Sequence, residues 1–222
     1  MTHLPLQLRV AGRRCTVVGA GRVATRRVLR LLAHGAQVVV VAPEVSPAIE
    51  ELADRGSVEL RRRAATETDL DGAVLAVLCT DDPALHDRLE RAPGPAFVTR
   101  ADDAAGDLLW MAERDLGSLC LAVGTDGRAP AVGAWAADVL AQAAPEVLGA
   151  DADTIGALVE LMEEVRRDGS TDEGTPSGAE VDESGPPRLN WRSVLDRSML
   201  ELIRSGRTAE AKERLKACRS SS

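Results

Sequence analysis

Residues 14–18 form an apolar, β-prone run that leads straight into a glycine cluster. Beyond it, Val23, Val28, Leu29, Leu31 and Leu32 recur on one helical face, with Arg22, Arg26, Arg27 and Arg30 mostly off it. Gly35 stands where this helix should stop. Residues 37–42 then read as a strand apolar on both faces, the pattern of a parallel sheet covered by helices. The alternation predicts a helix over 47–55, a strand around 58–60, a buried strand over 74–79, a helix from about Pro83 and a strand over 96–99. Strands alternating with helices at this spacing imply an α/β fold with a doubly wound parallel sheet.

Past Asp107 the pattern changes. Residues 108–111 and 119–123 read as strands, and a long helix is expected over 130–142, with Pro130 at its favourable first turn. This section is too small for a core of its own and is expected to complete one against a second copy of the chain. Asp153 is positioned to cap a helix that runs through Arg167. Residues 168–187 are rich in Gly, Ser, Pro and acids, with too little apolar surface to offset their ordering entropy, so disorder is expected. Trp191, Val194, Leu195, Met199, Leu200 and Ile203 return at helical spacing, Gly206 breaks the pattern, and a short helix runs to about Cys218. The expected organisation is a nucleotide-type domain over 1–107, a dimerisation section over 108–150, a helix over 151–167, an acidic linker over 168–187 and a helical tail over 188–222.

Composition narrows the function. The formal net charge is −8, but 168–187 alone carries six acids and no base, which leaves −2 for the rest. Acidity is therefore a property of one segment, and together with Phe97 and three tryptophans as the only aromatics it argues against nucleic acid as a partner. The four cysteines are widely spaced and read as buried thiols of a reducing compartment, while the three histidines are scattered, so no metal site is expected. The first residues lack a basic segment followed by an apolar core, and no apolar run is long enough for a membrane span. A cytoplasmic protein is expected.

The glycine cluster, Gly19-Ala20-Gly21-Arg22-Val23-Ala24, carries the clearest chemistry. Between a strand and a helix, Gly19 permits the tight turn, Gly21 lets a pyrophosphate approach the backbone, and Ala24 keeps helix and strand close. This is a Rossmann fingerprint for a nicotinamide dinucleotide. The second strand ends Val41-Ala42-Pro43-Glu44 with no acid at the ordinary ribose-binding position. Glu44 either reaches the 2′-hydroxyl from two residues further on, or leaves the adenosine side to the backbone at Pro43. Arg22 would suit a 2′-phosphate or simply be solvated, and NAD is expected over NADP. Thr80-Asp81-Asp82-Pro83 follows the fourth strand at the edge where ligands of this fold bind, with Thr80 a candidate for the nicotinamide ribose. Asp81 and Asp82 read better as helix caps. Arg100-Ala101-Asp102-Asp103 leaves the fifth strand at the same edge, where a carboxylate is either a general base or part of a solvated turn.

Taken in order, Leu4-Pro5, Val17-Val18-Gly19-Ala20-Gly21, Val41-Ala42-Pro43-Glu44, Thr80-Asp81-Asp82-Pro83, Ala101-Asp102-Asp103 and Gly124-Thr125-Asp126-Gly127-Arg128-Ala129-Pro130 resemble the precorrin-2 dehydrogenase/sirohydrochlorin ferrochelatase family, the amino-terminal module of siroheme synthase. The likeness covers about 4–142 and, more loosely, the tail. It implies NAD-dependent conversion of precorrin-2 to sirohydrochlorin, followed in some members by insertion of Fe²⁺, and a homodimer with 119–142 at the contact. The family's essential aspartate falls on Asp102, with Asp103 as the register alternative; its loop serine falls on Thr125. Its dinucleotide contacts fall on Arg22, Val23, Pro43 and Glu44. Thr99 stands for the usual asparagine, Trp110-Met111 replaces a segment that usually ends in proline, and Gly124 and Asp126 stand for serine and glycine. These departures leave the dinucleotide turn alone, so dehydrogenation is the safer expectation and iron insertion the weaker one. Arg100 and Arg128 are the candidates to meet a polycarboxylate tetrapyrrole. The competing classes are a non-enzymatic sensor of NAD or NADH and a small-substrate dehydrogenase. Sensors usually keep an acid at the end of the second strand, and small-substrate dehydrogenases usually need a His, Lys or Tyr at the cleft.

Overall fold

The computed structural model describes residues 3–95, 97–101, 108–170 and 194–217. Five strands, β1 (Arg14–Val18), β2 (Gln37–Val41), β3 (Glu59–Arg61), β4 (Leu75–Leu78) and β5 (Phe97–Arg100), form one sheet in the order β3-β2-β1-β4-β5. Every neighbouring pair is parallel, with Val17 facing Val40 on one side and Val77 on the other. Helix α1 (Arg22–Ala33) links β1 to β2, α2 (Pro47–Asp54) links β2 to β3, and α3 (Pro83–Glu90) links β4 to β5. The chain builds outward from β1 to β3 and then crosses back to β4 on the other side of β1. That reversal opens a crevice at the carboxyl ends of β1 and β4, the place where ligands bind in open α/β sheets.

The pleat sorts the strand residues into two cores. Cys15, Val17, Val38, Val40, Leu75 and Val77 pack with Ala24, Val28 and Leu31 of α1 and Ile49 of α2. Val18, Val39, Val41, Ala76 and Leu78 point the other way, onto Leu70 and Leu89. Strands covered on both faces have no polar side, which is why these segments read as unbroken apolar runs.

Residues Met1–Trp110 with Thr125–Ala129 form one compact unit, and Met111–Gly124 with Pro130–Ser222 form a second. In the second unit, β6 (Ala112–Asp115) pairs antiparallel with β7 (Cys120–Val123), and α4 (Pro130–Leu148) packs on the hairpin. The strand expected over 108–111 is thus displaced to the polar stretch Ala112-Glu113-Arg114-Asp115. Leu108 and Trp110 pack instead against the core beneath α1. Arg114 fastens α4 to the hairpin through Asp138 at 2.7 Å and the Ala134 carbonyl at 3.3 Å. Helix α4 runs beyond the expected end at 142 and through Pro145. Helix α5 (Ala152–Ser170) is capped by Asp151, which accepts from the Thr154 amide at 2.9 Å, and not by the expected Asp153. With α6 (Arg197–Arg204) and α7 (Thr208–Ala217) it closes a small core around Val165, Met199, Ile203 and Leu215. Cys15 is buried as expected, but Cys79 is half-buried and Cys120 exposed. Helix α5 continues through Ser170, past its expected end at 167 and into the stretch expected to be disordered from 168; the rest of the expected linker, with Trp191 and Cys218, lies outside the described residues.

One buried charge ties the end of β3 to the segment that leads into β4. Asp69 is inaccessible to solvent and accepts hydrogen bonds from Arg63 at 2.6 and 2.7 Å, Arg61 at 2.8 Å and the Thr66 amide at 2.9 Å. The Arg63 guanidinium foremost, with Thr66 and Arg61, holds its carboxyl well below the usual carboxylate range, against the opposing pull of burial. A carboxylate whose pKa is depressed by folding stabilises the fold above its unfolded value, and that contribution fades as pH falls through the folded value. Urea midpoints are therefore expected to fall below about pH 4. Asp69→Asn should lower stability at neutral pH and flatten this acid limb; an unchanged limb would remove Asp69 as its source.

Candidate active site

Gly19 sits at the end of β1 with φ +105°, and its amide donates to the Val41 carbonyl at 2.9 Å. A Cβ there would lie 2.6 Å from the Cys79 carbonyl oxygen and 2.9 Å from its carbon. The turn thus passes hard against the end of β4, and only glycine fits. Gly21 differs: a Cβ built on it meets nothing within 4 Å. It precedes α1 with no side-chain cap, and the first turn of α1 carries no acid. The leading amides of a helix have no internal acceptors, and the helix dipole favours negative charge there. Open space over Gly21, amides without a side-chain cap and a first turn free of acids together fit a dinucleotide pyrophosphate. Ala24 is fully buried against the sheet, which sets the helix close enough to aim those amides.

Arg22 is exposed and Val23 half-buried at this helix start. On the far side of β1, Pro43 and Glu44 are exposed just past β2, while the Ala42 amide is tied to the Arg61 carbonyl at 3.1 Å. The loop returns to the turn through the Ser46 amide, which donates to the Ala20 carbonyl at 3.2 Å. The fingerprint and the proposed adenosine side are therefore joined by backbone bonds.

At the end of β4, the Thr80 hydroxyl lies 2.9 Å from His86 Nε2 and accepts from the Asp82 amide at 3.4 Å. Asp82 caps α3 by accepting from the Leu85 amide at 3.1 Å. Thr80 also lies beside Gly19, so the structure brings these two together. Arg100 turns toward α3, with its guanidinium 3.3 Å from Asp87 and 3.7 Å from Glu90. Asp102 and Asp103 lie outside the described residues. The chain on either side is fixed: the Ala101 amide donates to the Leu78 carbonyl at 2.9 Å, and the buried Thr99 hydroxyl donates to the Leu108 carbonyl at 3.0 Å. Thr125 uses its hydroxyl oxygen to accept from the Ala129 amide at 3.1 Å, and Arg128 is exposed.

Several contacts carry no local sequence signal. Trp110 lies over Arg27 and Arg30, with ring centroid distances of 4.3 and 5.1 Å. Burial pushes the Arg27 guanidinium below its ordinary value. His86 and Cys79 shape the crevice at the end of β4 through contacts that strand-end spacing alone does not announce. Among the described residues no cluster of His, Cys, Asp or Glu is arranged to hold a metal ion, and no helix is long and apolar enough to cross a membrane.

Residues 6–109 match the family model described as "Putative NAD(P)-binding". Over 216 residues the chain is 30% identical to a siroheme synthase of Methylococcus capsulatus, covering 95% of this chain and 42% of that protein. Over 127 residues it is 34% identical to a precorrin-2 dehydrogenase of Priestia megaterium, covering 56% of this chain and 63% of the relative. The chain thus spans less than half the length of the siroheme synthases it matches. The solved structure of SirC, precorrin-2 dehydrogenase, superposes with a TM-score of 0.66 at 25% identity, covering 95% of this chain and 99% of that one.

Proposed function

We propose, from the premise that the chain is a homologue of siroheme synthases and precorrin-2 dehydrogenase, that it dehydrogenates precorrin-2 to sirohydrochlorin with NAD⁺. The observation that carries this reading is the join of fold and turn. A chain that superposes over almost its whole length on a precorrin-2 dehydrogenase also holds, at its sheet crossover, a glycine turn shaped for a pyrophosphate. Bound NAD⁺ supplies a two-electron acceptor, so that precorrin-2 and NAD⁺ give sirohydrochlorin, NADH and a proton.

The chain's own residues do the rest. Amides at the start of α1, with Arg22 and Val23, hold the diphosphate, and Pro43 and Glu44 border the adenosine. Thr80 faces the nicotinamide ribose. Asp102 follows Ala101, which is bonded to the end of β4, and takes the proton that leaves the macrocycle. Thr125 and Arg128 meet substrate carboxylates; Arg100 reaches them only by leaving Asp87 and Glu90. Insertion of Fe²⁺ into sirohydrochlorin is the weaker part of the proposal, and in it Asp102 would accept the pyrrole protons. The test is anaerobic incubation with precorrin-2 and either NAD⁺ or NADP⁺, followed by addition of Fe²⁺. The sirohydrochlorin spectrum should appear faster with NAD⁺; its absence with both nucleotides contradicts the reading.

The working form is a homodimer. Val132, Trp135, Val139 and Leu140 form an apolar stripe on α4, and Trp135 is 65% exposed. A contiguous apolar stripe on a helix marks an interaction surface. Trp135→Asp is expected to weaken self-association by at least about a hundredfold in sedimentation. An unchanged dimer would place the contact elsewhere.

A further inference from the structure

The five residues Thr125–Ala129 pack with the first compact unit, although the chain on both sides of them belongs to the second. They begin with a tight turn. Asp126 and Gly127 both have positive φ, +57° and +75°, and the Arg128 amide donates to the Thr125 carbonyl at 3.2 Å. Two successive left-handed residues closed by that bond define a type I′ turn. Asp126 is the only residue other than glycine with positive φ among the described residues. An L-residue in that region costs of order 1 kcal/mol, so surrounding contacts must hold it there. One such contact comes from far away in sequence. His3 Nδ1 lies 2.7 Å from Asp126 Oδ1, and the two side chains are 29% and 14% exposed. The segment ahead of β1 therefore reaches across to the strained residue of the turn.

We propose that His3 is a positioning residue: its bond to Asp126 fixes the Thr125–Arg128 turn so that Thr125 and Arg128 are presented together to the carboxylates of a tetrapyrrole. This rests on the substrate class argued above. The geometry gives a reason for the pair. The Thr125 hydroxyl oxygen is already committed to the Ala129 amide, so the direction of its hydroxyl proton depends on the turn. Arg128 is exposed and its Nε donates to the Thr125 carbonyl at 3.5 Å, so its direction depends on Asp126 holding its left-handed conformation. Releasing the Asp126 carboxylate frees both substrate contacts at once while leaving the Gly19–Gly21 turn untouched.

The experiment measures equilibrium binding of sirohydrochlorin, by its own fluorescence, and of NAD⁺, by calorimetry, to the full chain and to H3A, H3N, D126N and H3A/D126N. Asparagine at position 3 places an amide donor near the imidazole Nδ1 position. H3A and D126N are each expected to weaken the macrocycle about tenfold, the scale of one hydrogen bond to a charged group. NAD⁺ affinity should stay unchanged, H3N should recover most of the loss, and the double variant should be no worse than either single one. Unchanged macrocycle affinity in H3A, equal loss of NAD⁺ affinity, or additive losses in the double variant would each overturn the proposal. If the unsubstituted chain binds no macrocycle, the substrate reading itself fails and this inference falls with it. A loss confined to H3N by misfolding is recognised by its melting curve, and H3A then decides.

Discussion

Gly19→Ala is expected to lose NAD⁺ binding almost completely, with affinity down by at least about a hundredfold, and to destabilise the fold by roughly 2–5 kcal/mol. The added methyl would lie 2.6 Å from the Cys79 carbonyl oxygen, a backbone atom that cannot swing aside, at a φ of +105° that alanine rarely adopts. The turn must lift off β4, and the amides at the start of α1 then no longer converge on a diphosphate. Gly21→Ala separates binding from stability. Its methyl meets nothing within 4 Å, so the melting temperature should barely change while NAD⁺ affinity falls, because the methyl occupies the space left for the phosphate. Calorimetry and thermal melts of the two variants check both halves. Should Gly21→Ala bind NAD⁺ normally, the diphosphate does not lie over that turn.

Asp102→Asn is expected to lower the rate of precorrin-2 oxidation by about 10²–10⁴, the usual worth of a positioned general base, with NAD⁺ affinity unchanged. Asparagine keeps the shape and removes the proton acceptor. The neighbouring Ala101 is fixed to the Leu78 carbonyl at the end of β4, and the Thr99 hydroxyl is bonded to the Leu108 carbonyl, so the described residues on both sides of Asp102 are held. Asp103→Asn should cost far less. Single-turnover rates compare the two directly, and a larger loss at position 103 would move the base by one residue.

The first half of the fold was legible because its signals are local. Val17, Val40 and Val77 lie in runs apolar on both faces, and a slip of one residue would exchange the two cores, so pattern and topology agree. Gly19 and Gly21 were legible for the same reason: the turn is written in consecutive residues. Of the hairpin only β7 was legible, since Ala112-Glu113-Arg114-Asp115 has no apolar alternation and is held by Arg114 reaching Asp138 and Ala134 of α4. Trp110 looked like a strand residue, yet its ring is taken by Arg27 and Arg30. The pairing of Arg100 with Asp87 and the reach of His3 to Asp126 are contacts between distant positions, and no spacing rule announces them. At the substrate side the sequence therefore names candidate residue types, while the partner of each is set by tertiary packing.

In the proposed reaction a nucleotide held at the Gly19–Gly21 turn takes two electrons from a tetrapyrrole bound beside it. The most direct measurement is a single anaerobic turnover of the full chain with limiting precorrin-2 and saturating NAD⁺, recording NADH and sirohydrochlorin together. Both are expected to rise with one rate constant and in equal amounts. Tight NAD⁺ binding with neither product formed, the behaviour of a nucleotide sensor, would contradict it.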